Sequence, residues 1–170
     1  MGLKMSSSIA IASGKGGVGK TTIAVNLSLT LCQMGSKVSL MDADFGLANA
    51  HILLGINPKR TIRDLLKNEL PLEDIIETGP SGLKFISGGN GLIDILNIEK
   101  NSKYQLIRAL DPIQKNTDYL LVDIPAGASD NSMTFASAVD KLIIVLVSEP
   151  TSFMDAYAFI KTAKLDHNIN

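Results

Sequence analysis

Short apolar runs alternate along this chain with longer segments in which apolar residues recur at helical spacing. The short runs predict buried strands of a parallel sheet, because such strands are apolar on both faces. The predicted strands are Ser8–Ala12, Lys37–Met41, Gly82–Ile86, Tyr119–Val122 and Lys141–Val147. The predicted helices are Thr21–Met34, a short one within Phe45–Asn57, Ile62–Leu66, Pro71–Ile76, Ser102–Lys115, Ser129–Val139 and Pro150–Lys164. This alternation predicts an α/β fold, with a mostly parallel sheet, helices on both faces and right-handed crossovers.

A glycine-rich loop joins the first predicted strand to the first predicted helix. It reads Gly14-Lys15-Gly16-Gly17-Val18-Gly19-Lys20-Thr21, followed by Thr22, and fits the phosphate-loop pattern G-x-x-x-x-G-K-[ST]. We expect its four glycines to adopt positive φ, so that successive N–H groups face bound phosphates at a helix N-terminus. A glycine-rich turn without a ligand is the alternative, but the strand before the loop and the helix after it favour a nucleotide site.

The residues at the end of this loop predict how a nucleoside triphosphate is held. Lys20 is expected to contact the β- and γ-phosphates as a point charge. The Thr21 hydroxyl is expected to ligate a magnesium ion that bridges the same oxygens, and Thr22 to donate to the α-phosphate. The whole stretch from Gly14 to Thr22 is therefore the predicted cofactor-binding segment.

Three carboxylates follow predicted strands. Asp42 and Asp44 come directly after the second strand, and Asp123 ends the strand that begins at Tyr119. The carboxyl ends of strands are where open α/β sheets bind ligands. Asp123 is expected to reach the metal through water, or else to cap the next turn. One of Asp42 and Asp44 is expected to contact magnesium-bound water and the other the attacking water, unless one of them forms an Asx turn.

Composition and charge give no support to several other classes of function, although they exclude neither nucleic acid nor a membrane as a partner. The 170 residues carry 16 basic and 17 acidic side chains and a net charge of −1, which gives no electrostatic argument for nucleic acid or an anionic membrane. We expect a cytoplasmic protein, because no apolar run is long enough to span a membrane and no signal region precedes the loop.

His51 and His167 are isolated, so a zinc site is not predicted. The single cysteine, Cys32, is expected to pack inside, and Glu149 either faces a ligand or is a polar strand end.

The stretch Lys15 to Thr22 resembles the deviant Walker A motif of the MinD/ParA family of P-loop ATPases. Segments Asp42-Ala43-Asp44 and Asp123-Ile124-Pro125-Ala126-Gly127 are similar to that family as well. In the family, the lysine at the position of Lys15 crosses to the nucleotide of a partner subunit when ATP joins two monomers. The resemblance implies a weak, switch-like ATPase with ATP and Mg²⁺ as cofactors and an ATP-dependent homodimer.

Two longer stretches resemble the FlhG branch of this family, which controls flagellar number and placement. They run from Asp42 to Gly55 and from Glu149 to Lys161. The resemblance implies that Asp44 positions the attacking water, that Asp42 and Asp123 support the magnesium that Thr21 ligates, and that Lys15 completes a dimeric sandwich around the nucleotide. Lys15, Lys20 and Asp44 are thus the predicted catalytic residues. It also implies an FlhF-type GTPase and flagellar switch proteins as partners. Membrane contact is expected only through a C-terminal helix of the family that does not lie within these 170 residues.

The expected domain organisation is a single P-loop ATPase domain over residues 1–170. The last predicted helix has no strand after it, so we expect the C-terminal part of the family domain to be missing. A partition or carrier scaffold of the same superfamily, acting on DNA or another client, is the alternative function. The sequence has no C-x-x-C pair, which disfavours an iron–sulfur carrier.

Overall fold

A mixed sheet forms the centre of the computed structural model, which describes residues 6–46, 48–66, 70–89, 108 and 111–167. Within these residues, six strands form one sheet in the order β3-β4-β2-β5-β1-β6. The strands are β1 Ser7–Ala12, β2 Val38–Asp42, β3 Ile76–Thr78, β4 Lys84–Ser87, β5 Tyr119–Asp123 and β6 Lys141–Ile144. All neighbours are parallel except β3, which runs antiparallel to β4 at one edge. The predicted α/β class with a mostly parallel sheet is confirmed.

Helices connect the strands and cover both faces of the sheet. The α-helices are α1 Lys20–Gln33, α2 Ala50–Leu54, α3 Ile62–Leu66, α4 Asp130–Ser137 and α5 Pro150–His167. Two short 3-10 helices, Leu72–Ile75 and Pro80–Gly82, flank β3. Residues 111–116 are helical and form the end of the helix predicted from Ser102, whose remaining residues lie outside the described part apart from Arg108. No helix in the described ranges is long and apolar enough to cross a membrane.

The sheet is buried because successive residues of its central strands enter two different apolar layers. In β2, Leu40 packs in one layer and Met41 in the other. The layer with Leu40 includes Ala24 and Val25 of α1, whereas the layer with Met41 includes residues of α4 and α5. Central strands covered on both sides are apolar at consecutive positions, which is the pattern that predicted them.

The sheet edges differ from the sequence prediction in two places. Strand β3 was not predicted, because its three residues are too few to show a period and the helix was expected to run through Ile76. Strand β6 ends at Ile144 instead of Val147. Beyond it, the backbone N–H of Val147 donates to Ser152 Oγ at 3.1 Å, so the chain turns towards α5 and leaves the sheet.

The register of the central strands determines where the functional residues meet. Asp42 at the end of β2 lies opposite Asp123 at the end of β5, and Ile11 of β1 lies on the other side of Asp123. The phosphate loop follows β1 directly. The glycine loop and all three predicted carboxylates therefore lie at one edge of the sheet, the carboxyl edge.

Candidate nucleotide site

The phosphate loop has the conformation that its glycines permit, although two of them behave differently from the prediction. Gly17 and Gly19 have φ of 79° and 87°, in the left-handed region that glycine adopts without strain. Gly14 and Gly16 are not in that region, so the expectation of positive φ at all four glycines is wrong. Gly14 is needed for space instead, because a Cβ there would lie 2.2 Å from the backbone carbon of Asp155 in α5.

Lys20 forms a buried ion pair with Asp123 at the start of α1. Its Nζ lies 2.5 Å from Asp123 Oδ1, and the side chains are 8% and 1% exposed. The other carboxylate oxygen, Asp123 Oδ2, is buried and has no hydrogen-bond partner. A buried charged oxygen without a partner is costly, and a bound cation or its water would satisfy it. This buried oxygen without a partner is the feature of the site that fits a bound metal ion.

Asp42 uses its carboxylate to bind backbone N–H groups. Its Oδ2 accepts from the N–H of Asn49 and of Ala50, each at 3.0 Å, and its Oδ1 accepts from the N–H of Asp44 at 3.1 Å. Burial raises the pKa of Asp42 to about 6, and the charges of Asp123 and Asp44 add to this, while the bonds from the Ala50 and Asp44 N–H groups oppose it. Asp42 is thus a buried carboxylate with polar contacts on both oxygens.

Asp44 lies beside the loop and takes part in a local turn. Its Oδ1 accepts from the backbone N–H of Gly46 at 3.3 Å, which is an Asx-type contact. The side chain is only partly buried and lines the same cavity as the phosphate loop. The carboxylates Asp42 and Asp44 therefore have different surroundings, as their spacing in a strand predicts.

A cavity of about 490 Å³ lies over the phosphate loop. Its lining residues are Ser13, Gly16, Gly17, Gly19, Lys20, Thr21, Thr22, Asp44, Asn49, Ile52, Leu53 and Ala126. Seven of them belong to the predicted site. The sequence analysis missed the wall formed by Asn49, Ile52 and Leu53, although its position directly after the acidic pair was a usable signal. Ile52 and Leu53 are exposed large apolar side chains.

Lys15 points to a residue of its own chain. Its Nζ donates to Glu149 Oε2 at 3.0 Å, and both side chains are about half exposed. Glu149 directly precedes α5, and the backbone of α5 contacts the loop at Gly14. Lys15 is not among the residues that line the cavity. The contact with Glu149 is between residues 134 positions apart, and no sequence pattern indicated it.

Comparisons with known proteins identify relatives of this chain over most of its length. A family model described as ParA, NUBPL iron-transfer P-loop NTPase, matches residues 4–166. The chain is 41% identical to the antiactivator FleN of Pseudomonas aeruginosa over 161 residues, covering 95% of the chain and 58% of FleN. It is 37% identical to the flagellum site-determining protein YlxH of Helicobacter pylori over 153 residues, covering 90% of the chain and 52% of YlxH. The chain thus spans little more than half the length of these relatives.

Solved structures of MinD proteins are similar in fold to this chain. MinD in the MinC:MinD cell division complex of Aquifex aeolicus is similar in fold, with a TM-score of 0.83 and 31% identity over 97% of this chain and 66% of the solved one. The septum site-determining protein MinD of Pyrococcus horikoshii, solved with Mg-ADP, has a TM-score of 0.78 and is 29% identical to this chain. The match covers 94% of this chain and 66% of the solved one. Together with the family model over nearly the whole chain, these matches show that the chain belongs to the ParA/MinD family of P-loop NTPases.

Proposed function

We propose that this chain binds ATP and magnesium, forms a homodimer when ATP is bound, and hydrolyses ATP slowly as a switch in the control of flagellar number or placement. The observation that carries the proposal is the cavity over the phosphate loop, where Lys20, Thr21 and Asp44 meet. The flagellar role is supported by the similarity to FleN and YlxH. An FlhF-type GTPase and flagellar switch proteins remain proposed partners.

Nucleotide binding requires Lys20 to exchange partners. In the structure its ammonium is neutralised by Asp123, so phosphate oxygens must compete with that carboxylate. When Lys20 turns to the β- and γ-phosphates, Asp123 loses its cationic partner in a buried place. The Asp123 carboxylate and the Thr21 hydroxyl would then hold the magnesium ion. Bound magnesium would neutralise the charge that develops on the phosphate oxygens.

Hydrolysis requires a water in line with the γ-phosphate. Asp44 lines the cavity and is the carboxylate proposed to orient that water. Lys15 is proposed to contact the nucleotide of a partner subunit, which requires it to leave Glu149. Both lysines of the loop thus change partners between the free chain and the proposed dimer.

The test combines size exclusion with phosphate release, in the presence of ATP and Mg²⁺. We expect the wild type to dimerise and hydrolyse slowly, Lys15→Ala to stay monomeric, and Asp44→Ala to dimerise but lose hydrolysis. Lys84→Ala, on β4 far from the loop, is the control for removal of an exposed lysine and should behave as wild type. A wild type that fails to bind ATP would overturn the proposal, and a Lys15→Ala variant that dimerises normally would remove the proposed contact in trans.

The matching family model is described as an iron-transfer P-loop NTPase, which makes an iron–sulfur carrier the second candidate function. The 170 residues contain one cysteine, Cys32 of α1, and burial raises the pKa of its thiol. Transfer of an iron–sulfur cluster would need more thiolate ligands than this chain supplies. Anaerobic reconstitution with iron and sulfide should therefore give no cluster absorption, and stable absorption by the purified chain would favour the carrier.

A further inference from the structure

We infer that Asp42 is a positioning residue, which holds Asp44 and the start of α2 against the phosphate loop through backbone hydrogen bonds and does not hold the metal. The inference rests on the proposed function, because it concerns the residue proposed to orient the attacking water. It assigns the metal to Asp123 and Thr21 and gives Asp42 a separate role.

The first step is the geometry of the carboxylate. Asp42 is 1% exposed and ends β2. Its Oδ1 binds the N–H of Asp44, two residues on, and its Oδ2 binds the N–H groups of Asn49 and Ala50. One side chain therefore fixes both ends of the segment between β2 and α2.

The second step is the backbone that the carboxylate satisfies. The first N–H groups of a helix have no partner within the helix, and Asn49 and Ala50 are the N-cap and first residue of α2. The Asn49 side chain does not cap the helix. Asp42 supplies that missing acceptor from a neighbouring strand, and a negative charge at this position is favourable for the helix.

The third step is a second anchor in the middle of the same segment. Phe45 is buried, and its ring centroid lies 5.7 Å from that of Phe135 of α4. The ring also packs so closely on Gly88 that a Cβ there would lie 2.6 Å from Phe45 Cδ1. With Phe45 held by apolar contacts and Asp42 by polar ones, Asp44 between them has little freedom and lines the cavity.

The fourth step is the contrast with Asp123. The two aspartates are directly opposite in the register of β2 and β5, so both lie equally near the end of the sheet. Asp123 keeps one buried oxygen without a partner, whereas both oxygens of Asp42 already accept N–H bonds. A metal held by Asp42 would have to compete with these donors, and a metal held by Asp123 would satisfy an unmet oxygen.

The decisive experiment is residue-resolved amide exchange, followed by NMR, on the protein without nucleotide or Mg²⁺. In the wild type, we expect the amides of Asp44, Asn49 and Ala50 to be protected. In Asp42→Asn, one oxygen acceptor becomes an amide donor, so the amides that this oxygen received, either that of Asp44 or those of Asn49 and Ala50, should exchange about tenfold or more faster. Asp140→Asn is the matched control, because Asp140 also accepts a backbone N–H, from Ser8, at a site remote in sequence from this segment. It should leave these three amides at their wild-type rates.

A second readout separates positioning from metal binding. We expect Asp42→Asn to lower kcat by about tenfold to a hundredfold, since Asp44 is misplaced, while the Mg²⁺ concentration for half-maximal activity changes by less than about twofold. Asp123→Asn should instead raise the Mg²⁺ requirement.

The inference fails if the three amides are unprotected in the wild type, or if Asp42→Asn leaves their exchange unchanged. It also fails if Asp42→Asn raises the Mg²⁺ requirement as much as Asp123→Asn does. The wild-type exchange measurement can overturn the inference even if Asp42→Asn does not fold. Since it needs neither ATP nor metal, it remains decisive if the proposed ATPase function is wrong.

Discussion

At the scale of single residues, both lysines of the phosphate loop already have a carboxylate partner within the chain. Lys20 pairs with buried Asp123, and Lys15 pairs with exposed Glu149. The two ion pairs differ in the free energy that it costs to break them. Breaking a buried pair leaves an uncompensated charge and is expensive, whereas an exposed pair contributes little. For the exchange of partners proposed above, we therefore expect Lys20 to need the phosphates and the metal together, and Lys15 to need only a competing anion.

The first prediction concerns this exposed pair. Glu149→Gln removes the charge that holds Lys15 in its own chain, so the proposed ATP dimer should form more readily. Because exposed pairs are worth about 0.2–1 kcal/mol each and a homodimer releases two of them, we expect the dimer Kd to fall by no more than about thirtyfold. Sedimentation in ATP and Mg²⁺ measures this, with Glu77→Gln on edge strand β3 as the control. An unchanged or larger Kd would show that Glu149 does not restrain Lys15.

The second prediction concerns the buried carboxylate Asp42 in the absence of metal. Its pKa is about 6 in the folded chain against an ordinary value of 3.8, so the folded protein binds the proton more tightly than the unfolded chain. The free energy of unfolding should therefore fall as the pH rises through this interval, by about 3 kcal/mol from this group.

Asp140 contributes with the opposite sign, because bonds from the Ser8 N–H and hydroxyl lower its pKa, so its contribution to stability is lost as the pH falls. The measurement is thus the difference between wild type and Asp42→Asn in urea unfolding at about pH 4 and about pH 7. The stability of the wild type relative to the variant should be lower at the higher pH. A difference that is the same at both pH values would contradict the raised pKa.

At the scale of elements, helix α5 is packed directly on the phosphate loop. The approach is closest at Gly14, where the α5 backbone at Asp155 and Ala156 occupies the space of a side chain. The same helix begins next to Glu149, the partner of Lys15. The loop and α5 are thus connected by backbone contact at Gly14 and by the ion pair of Lys15 with Glu149.

The third prediction tests this contact. Gly14→Ala should lower the free energy of unfolding by about 1–3 kcal/mol, because the backbone of α5 has to move. Gly16→Ala is the matched control, since a Cβ at Gly16 meets nothing within 4 Å and its φ is not positive. It should change stability by less than about 0.5 kcal/mol in the absence of nucleotide. Equal effects of the two substitutions, measured by urea unfolding, would argue against close packing of α5.

At the scale of the whole molecule, two apolar layers on either side of the sheet hold the elements together. The layer that contains Met41 also contains Phe159 and Ala163 of α5. The opposite side of α5 carries exposed apolar side chains, among them Phe153 and Tyr157. Among the residues that the structure describes, the helix is therefore anchored by the face that carries Phe159 and Ala163.

The fourth prediction compares the two faces of this helix. Phe159 is 0% exposed and Phe153 is 55% exposed, so both substitutions remove the same atoms from different surroundings. Phe159→Ala should lower the free energy of unfolding by about 3–5 kcal/mol, by loss of burial and formation of a cavity. Phe153→Ala should change it by less than about 0.5 kcal/mol. Thermal and urea unfolding of the two variants give the comparison, and similar losses would mean that the exposed face is also packed.

The sequence by itself determined the fold class, the phosphate loop and the strands that end in Asp42 and Asp123. These features are local. Buried parallel strands are continuous apolar runs, and a phosphate loop is a fixed order of glycine, lysine and threonine. Edge elements were less predictable, because the three residues of β3 and the end of β6 depend on how the chain leaves the sheet.

Only the tertiary structure decided which partners the site residues take. Lys15 and Glu149 are far apart in sequence, and so are Gly14 and Asp155, so their contacts depend on how the crossovers place α5 beside the loop. The different surroundings of Asp42 and Asp123 also depend on the tertiary structure. Each follows an apolar strand in the sequence, but only folding gives one three backbone donors and leaves the other with an unpartnered buried oxygen.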